Sequence, residues 1–146
     1  MSPDNSNLVV NRKATYEYFI HDRFEAGLAL KGSEVKSIRE GKANLQEAHV
    51  RIRADGAWLH GCHVSPYLQA NRNNHDPLRP KQLLLHRSEI SKLRRGIAEK
   101  GMSIVPMRIY LKNRRIKVEI GLGKGKKLHD KRESLKKKQA QRDLRR

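Results

Sequence analysis

The chain has 146 residues, which is enough for one ordinary domain and a short extension. Apolar residues make up 36% of the sequence, so the core must be compact, and 33 Lys and Arg against 15 Asp and Glu give a formal net charge of +18. Because such an excess repels itself unless a polyanion offsets it, we expect the partner to be nucleic acid or an anionic membrane surface.

The sequence offers no segment that would place the protein in a membrane or on a secretory route. No apolar run approaches the roughly 20 residues that a membrane-spanning helix needs. The first ten residues lack the charged and apolar regions of a secretory signal, and the lone Cys62 cannot form an internal disulfide. We therefore expect a cytoplasmic protein that makes no membrane contact.

The first half of the chain predicts strands around one short helix. Residues 1–10 are polar, and we expect them to be flexible. The period-two pattern from Thr15 to Leu30 predicts two strands joined at His21–Arg23. The stretch GSEVKSIREG predicts a short helix that Gly41 can end. Two further strands, about Glu47–Ala54 and Ala57–Ser65, are separated by Asp-Gly, a pair typical of a tight hairpin.

The second half predicts a long loop, a helix and a last pair of strands. Residues 66–82 contain three prolines and are expected to form the loop. The apolar spacing predicts a helix from about Ser88 to Lys100, with Gly101 just beyond its end. Alternation over residues 103–111 and 116–120 predicts two strands, in which Pro106 marks an edge or a bulge. Six short strands with two or three helices favour a mostly β fold, namely a small six-stranded antiparallel barrel over residues 11–122.

A basic tail follows this predicted barrel. Residues 123–146 hold 11 Lys and Arg against 3 Asp and Glu, and few large apolar residues. Such a segment cannot bury enough apolar surface to offset its ordering entropy, so we expect it to be disordered in the free protein. Asp130 and Glu133 nevertheless match a helix N-terminus, which predicts a helix when phosphates neutralise the surrounding cations.

No motif in the chain predicts catalysis or a bound cofactor. The stretch GLGKGKK lacks the spacing of a Walker phosphate-binding loop. His60, Cys62 and His63 alternate across a predicted strand, which is poor geometry for one metal ion. Glu25 is the most interesting acid, with a structural salt bridge as the alternative role. The aromatic residues are too few for an obvious stacking platform, which favours a structured RNA read by its shape and phosphates.

Four stretches of the sequence together resemble one known family. They are NRKATYEYFIHDRFEAGLALKGSEVKSIREGKANL, HVSPY, LLLHRSEISKL and GLGKGKKLHDKRESLK, and they span about Asn11 to the C-terminus. The chain resembles the small protein B (SmpB) family, the transfer-messenger RNA-binding proteins of bacterial trans-translation. The resemblance implies an oligonucleotide-binding (OB) barrel that binds the tRNA-like domain of transfer-messenger RNA. It also implies a tail that enters the empty mRNA channel of a stalled ribosome and becomes helical there.

The resemblance also implies which residues carry these roles. The positions that match the family's RNA-binding face are Asn11, Arg12, Lys13, Glu25, Lys36, Arg39, Lys42 and Lys117. The positions implied to contact the decoding centre, its rRNA and the mRNA channel of the small subunit are Gly125, Lys126, Lys127, His129, Asp130, Lys131 and Arg132. Gln82 stands where the family commonly has a basic residue, so no phosphate contact is carried over to this position.

Three functions are compatible with a basic chain of this composition. The first is the non-enzymatic rescue factor just described, which we expect to be monomeric and to need no cofactor or metal. The second is a ribosomal or ribosome-assembly protein that stays on rRNA and uses its tail as an anchor. Sedimentation separates the two, because a structural protein migrates with all ribosomes. The third is an RNA-modifying enzyme, which would need a cofactor pocket or an acid–base pair that the sequence does not reveal.

Overall fold

The computed structural model describes residues 6–68 and 74–126, which form a mostly β structure with three helices. The alternating stretches become strands because each places one row of apolar side chains on the core face. In chain order the elements are β1 Ser6–Val10, α1 Lys13–Glu17, β2 Tyr18–Leu28, α2 Gly32–Arg39, β3 Ala43–Asn44, β4 His49–Arg53, β5 Gly56–His60, β6 His63–Val64, β7 Lys81–Leu84, α3 Arg87–Lys100, β8 Ser103–Lys112 and β9 Arg115–Gly125.

Seven of these strands form one antiparallel sheet in the order β1-β8-β9-β2-β7-β5-β4, and β3 pairs with β6. The mostly antiparallel prediction is confirmed, whereas the closed six-stranded barrel is not: the sheet is open and has seven strands. Two strands of this seven-stranded sheet were missed because their sequences are short. One is β1, inside the segment 1–10 that we expected to be flexible, and the other is β7, at the end of the predicted loop.

The end of helix α1 and the long strand β2 replace the two strands predicted over Thr15–Leu30, because residues 15–17 are helical and β2 begins at Tyr18. It pairs with β9 from Tyr18 opposite Gly125 to Gly27 opposite Lys117, and a bulge between Ile20 and Asp22 takes up the break in alternation. A bulge shifts the side-chain period by one residue without ending the strand. The interruption that predicted a turn at His21–Arg23 is therefore a kink in one continuous strand.

Local signals placed the hairpins and the longer helices correctly. Asp55-Gly56 turns the chain between β4 and β5, and α2 and α3 lie where the periodicity predicts them. Gly101 follows α3 in the left-handed conformation, with a φ of 62°. The bulge expected near Pro106 is present in the pairing of β8 with β9, between Pro106 and Arg108.

One face of the sheet carries the core. Inward-facing side chains such as Ala26, Leu59 and Val118 are fully buried. Ile38 of α2 and Leu93 of α3 are packed into the same cluster. Helices α2 and α3 thus pack on the core side of the sheet. On the opposite face, Ala14 of α1 packs against Val105 and Met107 in a second, smaller buried cluster.

The sheet extends beyond the predicted limits of the folded body. Strand β9 continues through Gly125, three residues past the boundary at Leu122. The backbone N–H of Lys126 then donates a 2.8 Å hydrogen bond to the carbonyl of Glu17. A truncation that preserves the body must therefore come after Lys126, and the predictions made for residues 127–146 lie outside the described residues.

A buried charge cluster fixes α2 to the chain that leads into β7. The Glu34 carboxylate is fully buried and accepts hydrogen bonds from Arg79 Nη2 at 2.6 Å, Arg79 Nε at 3.1 Å and the Lys31 backbone N–H at 2.7 Å. Lys81 Nζ, also buried, lies 3.7 Å from Glu34 Oε2. It donates to the carbonyl of Arg79 at 2.8 Å. Burial opposes ionisation of Glu34, but these donors and charges outweigh it and hold the pKa of its carboxyl below the ordinary value.

Candidate nucleic-acid interface

A basic groove lies between α2 and the neighbouring ends of β2, β7 and β9. Arg39 comes from α2, Arg114 from the β8–β9 turn, and Arg115 and Lys117 from β9. Gly27 and Leu84 form part of the floor. The groove has a volume of about 300 Å³. Asn113 and Arg114 adopt positive φ angles of 50° and 64° in this turn. A tight turn of this kind suits the right-handed twist of the strands and places the two arginines beside Lys117.

Glu25 adjoins this basic groove on the same face of the sheet. It shares a neighbouring depression with Gln82, Leu84 and Lys117. The Tyr110 hydroxyl donates a hydrogen bond to the Glu25 carboxylate, and Lys112 Nζ lies 3.2 Å from Glu25 Oε2. The hydrogen bond from Tyr110, followed by the charges of Lys112 and Lys117, outweighs burial and lowers the pKa of Glu25. Glu25 is therefore an ionised acceptor among cations, able to orient them or to accept from a base or ribose.

Of the eight residues predicted for the RNA-binding face, the structure brings three to this groove: Glu25, Arg39 and Lys117. Lys36 lies one helical turn before Arg39 on α2, with its ammonium 5.4 Å from the centre of the Tyr67 ring. Lys42 follows the helix and forms an exposed 3.2 Å ion pair with Glu40. Together they extend positive charge along α2.

The other three predicted residues lie away from the groove, near the start of the chain. Arg12 and Lys13 are exposed and line a depression with Ala43 and Gln46. Asn11 is buried, and its Nδ2 donates to the carbonyl of Pro106 at 2.9 Å. The Asn11 side chain therefore ties the end of β1 to β8 and supports the two basic residues that follow it.

Sequence reasoning missed three residues of the groove: Leu84, Arg114 and Arg115. Leu84 is 56% exposed and lies on the floor of the groove. Arg114 and Arg115 lie between the strands predicted over residues 103–111 and 116–120, and neither was assigned a role. The sequence signal was present as an Arg-Arg pair at a hairpin turn, but only the pairing of β9 with β2 shows that this turn adjoins Glu25 and Lys117.

The two described residues of the predicted ribosome-contacting set lie at the other end of the β2–β9 pair. Gly125 is opposite Tyr18, and the Lys126 ammonium lies 5.0 Å and 5.8 Å from the ring centres of Phe19 and Tyr16. Both rings are more than half exposed. Tyr18 and Gly27 are nine residues apart on β2, a separation of about 30 Å along a strand. The groove and the start of the tail therefore mark opposite ends of the β2–β9 strand pair.

A basic groove with an ionised acceptor, on the solvent-exposed part of a β-sheet, is typical of nucleic-acid-binding proteins. The family model described as SmpB protein matches residues 8–146. The SsrA-binding protein of Bacillus pumilus is 56% identical over 136 residues, covering 93% of this chain and 87% of that protein. The SsrA-binding protein of Geobacter metallireducens is 55% identical over 134 residues, covering 92% and 88%.

One solved structure is also similar, and its description reads "tmRNA-SmpB: a journey to the center of the bacterial ribosome". It has a TM-score of 0.67 and 39% identity, over 82% of this chain and 84% of that one. The chain belongs to the SmpB family, whose members are RNA-binding proteins and not enzymes. Within the described residues, no helix is long and apolar enough to cross a membrane.

Proposed function

We propose that this protein binds the tRNA-like domain of transfer-messenger RNA and delivers it to stalled ribosomes for trans-translation. Family membership over residues 8–146 carries the proposal. Relatives more than 50% identical are named SsrA-binding protein. The basic groove and Glu25 supply the chemistry, because cations hold phosphates while an ionised acceptor orients them or reads a sugar or base edge. The protein acts in the cytoplasm as a monomer.

The groove and the start of the tail are about 30 Å apart along β2, which supports separate binding roles for the two ends. The groove end of the β2–β9 pair, with Glu25, Arg39 and Lys117, binds the RNA. The end at Gly125 points the tail toward the small subunit. The β2–β9 pair fixes the distance between the bound RNA and the start of the tail. Protein and RNA together then fill the space of a tRNA, with the protein in place of the missing anticodon arm.

The tail supplies the second set of contacts in this proposal. It becomes helical from about Asp130 once rRNA phosphates neutralise its cations, because its few apolar residues cannot order it alone. His129, just before this helix, stacks on or hydrogen-bonds to a base of the decoding centre. The contacting residues are Gly125, Lys126, Lys127, His129, Asp130, Lys131 and Arg132.

The body is proposed to be an OB-like barrel in which the open sheet curls back on itself. Strand β4, at one end of the strand order, lies beside β8, which is next to the other end. Strong curvature of this kind brings the ends of a twisted sheet together without a hydrogen-bonded seam. The solvent face then wraps around the body, so that one RNA can contact several strands.

Substitution Glu25→Gln is expected to weaken binding of the tRNA-like RNA about tenfold or more. It removes the charge that holds the Lys112 ammonium and accepts from the Tyr110 hydroxyl, and hydrogen bonds to charged groups contribute about 1.5–3 kcal/mol. Filter binding at fixed salt measures the change, and urea unfolding checks that the fold is intact. Glu99→Gln, an exposed acid on α3, is the matched control and should leave affinity unchanged. An unaltered affinity in Glu25→Gln would make this residue a surface acid only and remove it from the RNA-binding face.

A further inference from the structure

The solvent face of the sheet continues past the basic groove onto β5 and β4. Cross-strand partners point to the same face of a sheet. Lys117 is opposite Gly27, and Gly27 is opposite Leu84. Two residues before Leu84, Gln82 is opposite Trp58. Trp58 therefore shares a face with Lys117, three strands away in the sheet order, which is about 15 Å across the sheet.

A hairpin surface of cations and rings occupies this part of the face. It consists of the solvent-facing side chains of β4 and β5: His49, Arg51, Arg53, Trp58 and His60. The residues between them, such as Val50 and Leu59, are buried in the core. The rings of His49, Trp58 and His60 therefore lie on the solvent side of the hairpin and are not part of the hydrophobic core.

Contacts among these side chains hold the rings in place. The His49 and His60 rings stack at 5.6 Å with an interplanar angle of 15°. The Arg53 guanidinium lies 5.7 Å from the centre of the Trp58 ring and 3.1 Å from His60 Nε2. Trp58 Nε1 donates a 2.9 Å hydrogen bond to Asp55. Flat rings held in this way need no further ordering before they stack on another ring.

Positive charge is concentrated on the hairpin surface. Within residues 6–68 and 74–126, neither Arg51 nor Arg53 pairs with a carboxylate. Arg94 of α3 adds a third guanidinium at the rim, where its Nη2 donates to the carbonyl of Arg53 at 2.8 Å. Burial, followed by the charges of Arg53, His49 and Arg51, lowers the pKa of His60. A polyanion would relieve this repulsion.

We propose that the hairpin surface binds an unpaired segment of RNA, with phosphates on Arg51 and Arg53 and a base stacked on Trp58. Duplex RNA presents phosphates but no free base face, whereas unpaired nucleotides present both. The inference rests on the proposed function in one respect: the segment belongs to the RNA held in the basic groove, about 15 Å away. Gln82 lies between the two surfaces and donates to the carbonyl of Asp55 at 3.2 Å.

The fluorescence of Trp58 tests this directly, because it is the one tryptophan of the chain. The full chain is titrated with a single-stranded oligouridine of about 12 nucleotides, with a duplex RNA of equal length, and with the tRNA-like RNA. We expect quenching by the oligouridine and by the tRNA-like RNA, and none by the duplex. Quenching by the duplex, or an unchanged signal when labelled oligouridine is shown by anisotropy to be bound, would overturn the inference.

A pair of double variants separates this surface from general charge effects. Arg51→Gln with Arg53→Gln is expected to weaken oligouridine binding about tenfold and to reduce the slope of log affinity against log salt by about 1.4, the value for two lost contacts to a single strand. Lys92→Gln with Arg95→Gln removes the same charge from α3 and should change neither. An equal loss of oligouridine affinity in both double variants would show nonspecific electrostatic attraction and contradict the proposed hairpin surface.

The same titrations distinguish the two proposals. If the tRNA-like RNA binds without quenching Trp58, the hairpin surface is rejected and the proposed function stands. If the oligouridine quenches Trp58 while the tRNA-like RNA fails to bind, the proposed function is rejected and the hairpin surface stands. All four substituted residues are exposed, so we expect both double variants to keep the fold, and circular dichroism melts check this.

Discussion

A chain that ends at Lys126 is expected to bind the tRNA-like RNA nearly as well as the full protein does. It is expected not to support tagging on stalled ribosomes. The groove at Glu25 and Lys117 is complete without the tail. Ending the chain at Leu122 would instead remove Gly123 and Gly125, which pair with Ile20 and Tyr18 in the sheet. Filter binding measures the first effect, and peptide tagging in a reconstituted translation reaction on truncated mRNA measures the second.

A substitution within the full-length tail separates helix formation from mere charge. Leu135→Pro keeps every cation but disfavours a helix by about 3 kcal/mol, so it should reduce tagging almost as far as truncation does. Leu135→Ala, a good helix former, is the matched control and should retain tagging. Normal tagging by the shortened chain would disprove the role of the tail, and normal tagging by Leu135→Pro would disprove its helix.

Substitution Glu34→Gln is expected to lower the free energy of unfolding by about 3–5 kcal/mol, the cost of removing one partner from a buried ion pair. Glutamine has the same shape and can still accept from the Lys31 N–H. It leaves the buried Lys81 ammonium and the Arg79 guanidinium without their carboxylate, however. Urea unfolding at neutral pH, with an unchanged m-value, measures the loss.

Glu40→Gln is the matched control on the same helix. Glu40 forms an ion pair with Lys42 at 3.2 Å, but its side chain is 44% exposed, so its removal should cost less than about 1 kcal/mol. A similar cost for Glu34→Gln and Glu40→Gln would show that the buried cluster contributes no more than a surface pair.

The pH dependence of Glu34→Gln follows from the lowered pKa of Glu34. A carboxyl with a lower pKa in the folded than in the unfolded state stabilises the fold above its unfolded value, about 4.3, and this stabilisation is lost as the pH falls through the folded value. The wild-type protein should therefore lose stability in that acid range faster than Glu34→Gln does. Parallel stability curves between about pH 5 and pH 2 would contradict this assignment.

The sequence alone predicted the structural features that are set by residues close together in the chain. The Asp55-Gly56 hairpin, α3 with Gly101 beyond its end and the bulge near Pro106 follow from turn chemistry and periodicity within a few residues. The excess of cations, the absence of a catalytic motif and the resemblance to a family were also readable directly. These features need no knowledge of which distant residues meet.

Only the tertiary structure decided which strands pair and which faces are exposed. Strand β2 is one bulged strand because β9 pairs with it throughout, and β1 and β7 exist because β8, β2 and β5 supply their partners. Glu34 and Lys81 are buried because residues far apart in sequence neutralise each other there. The pairing of β9 with β2, and of β2 with β7, places Arg114, Arg115 and Lys117 beside Leu84. Pairing between distant segments depends on the packing of the whole chain, which a local pattern cannot specify.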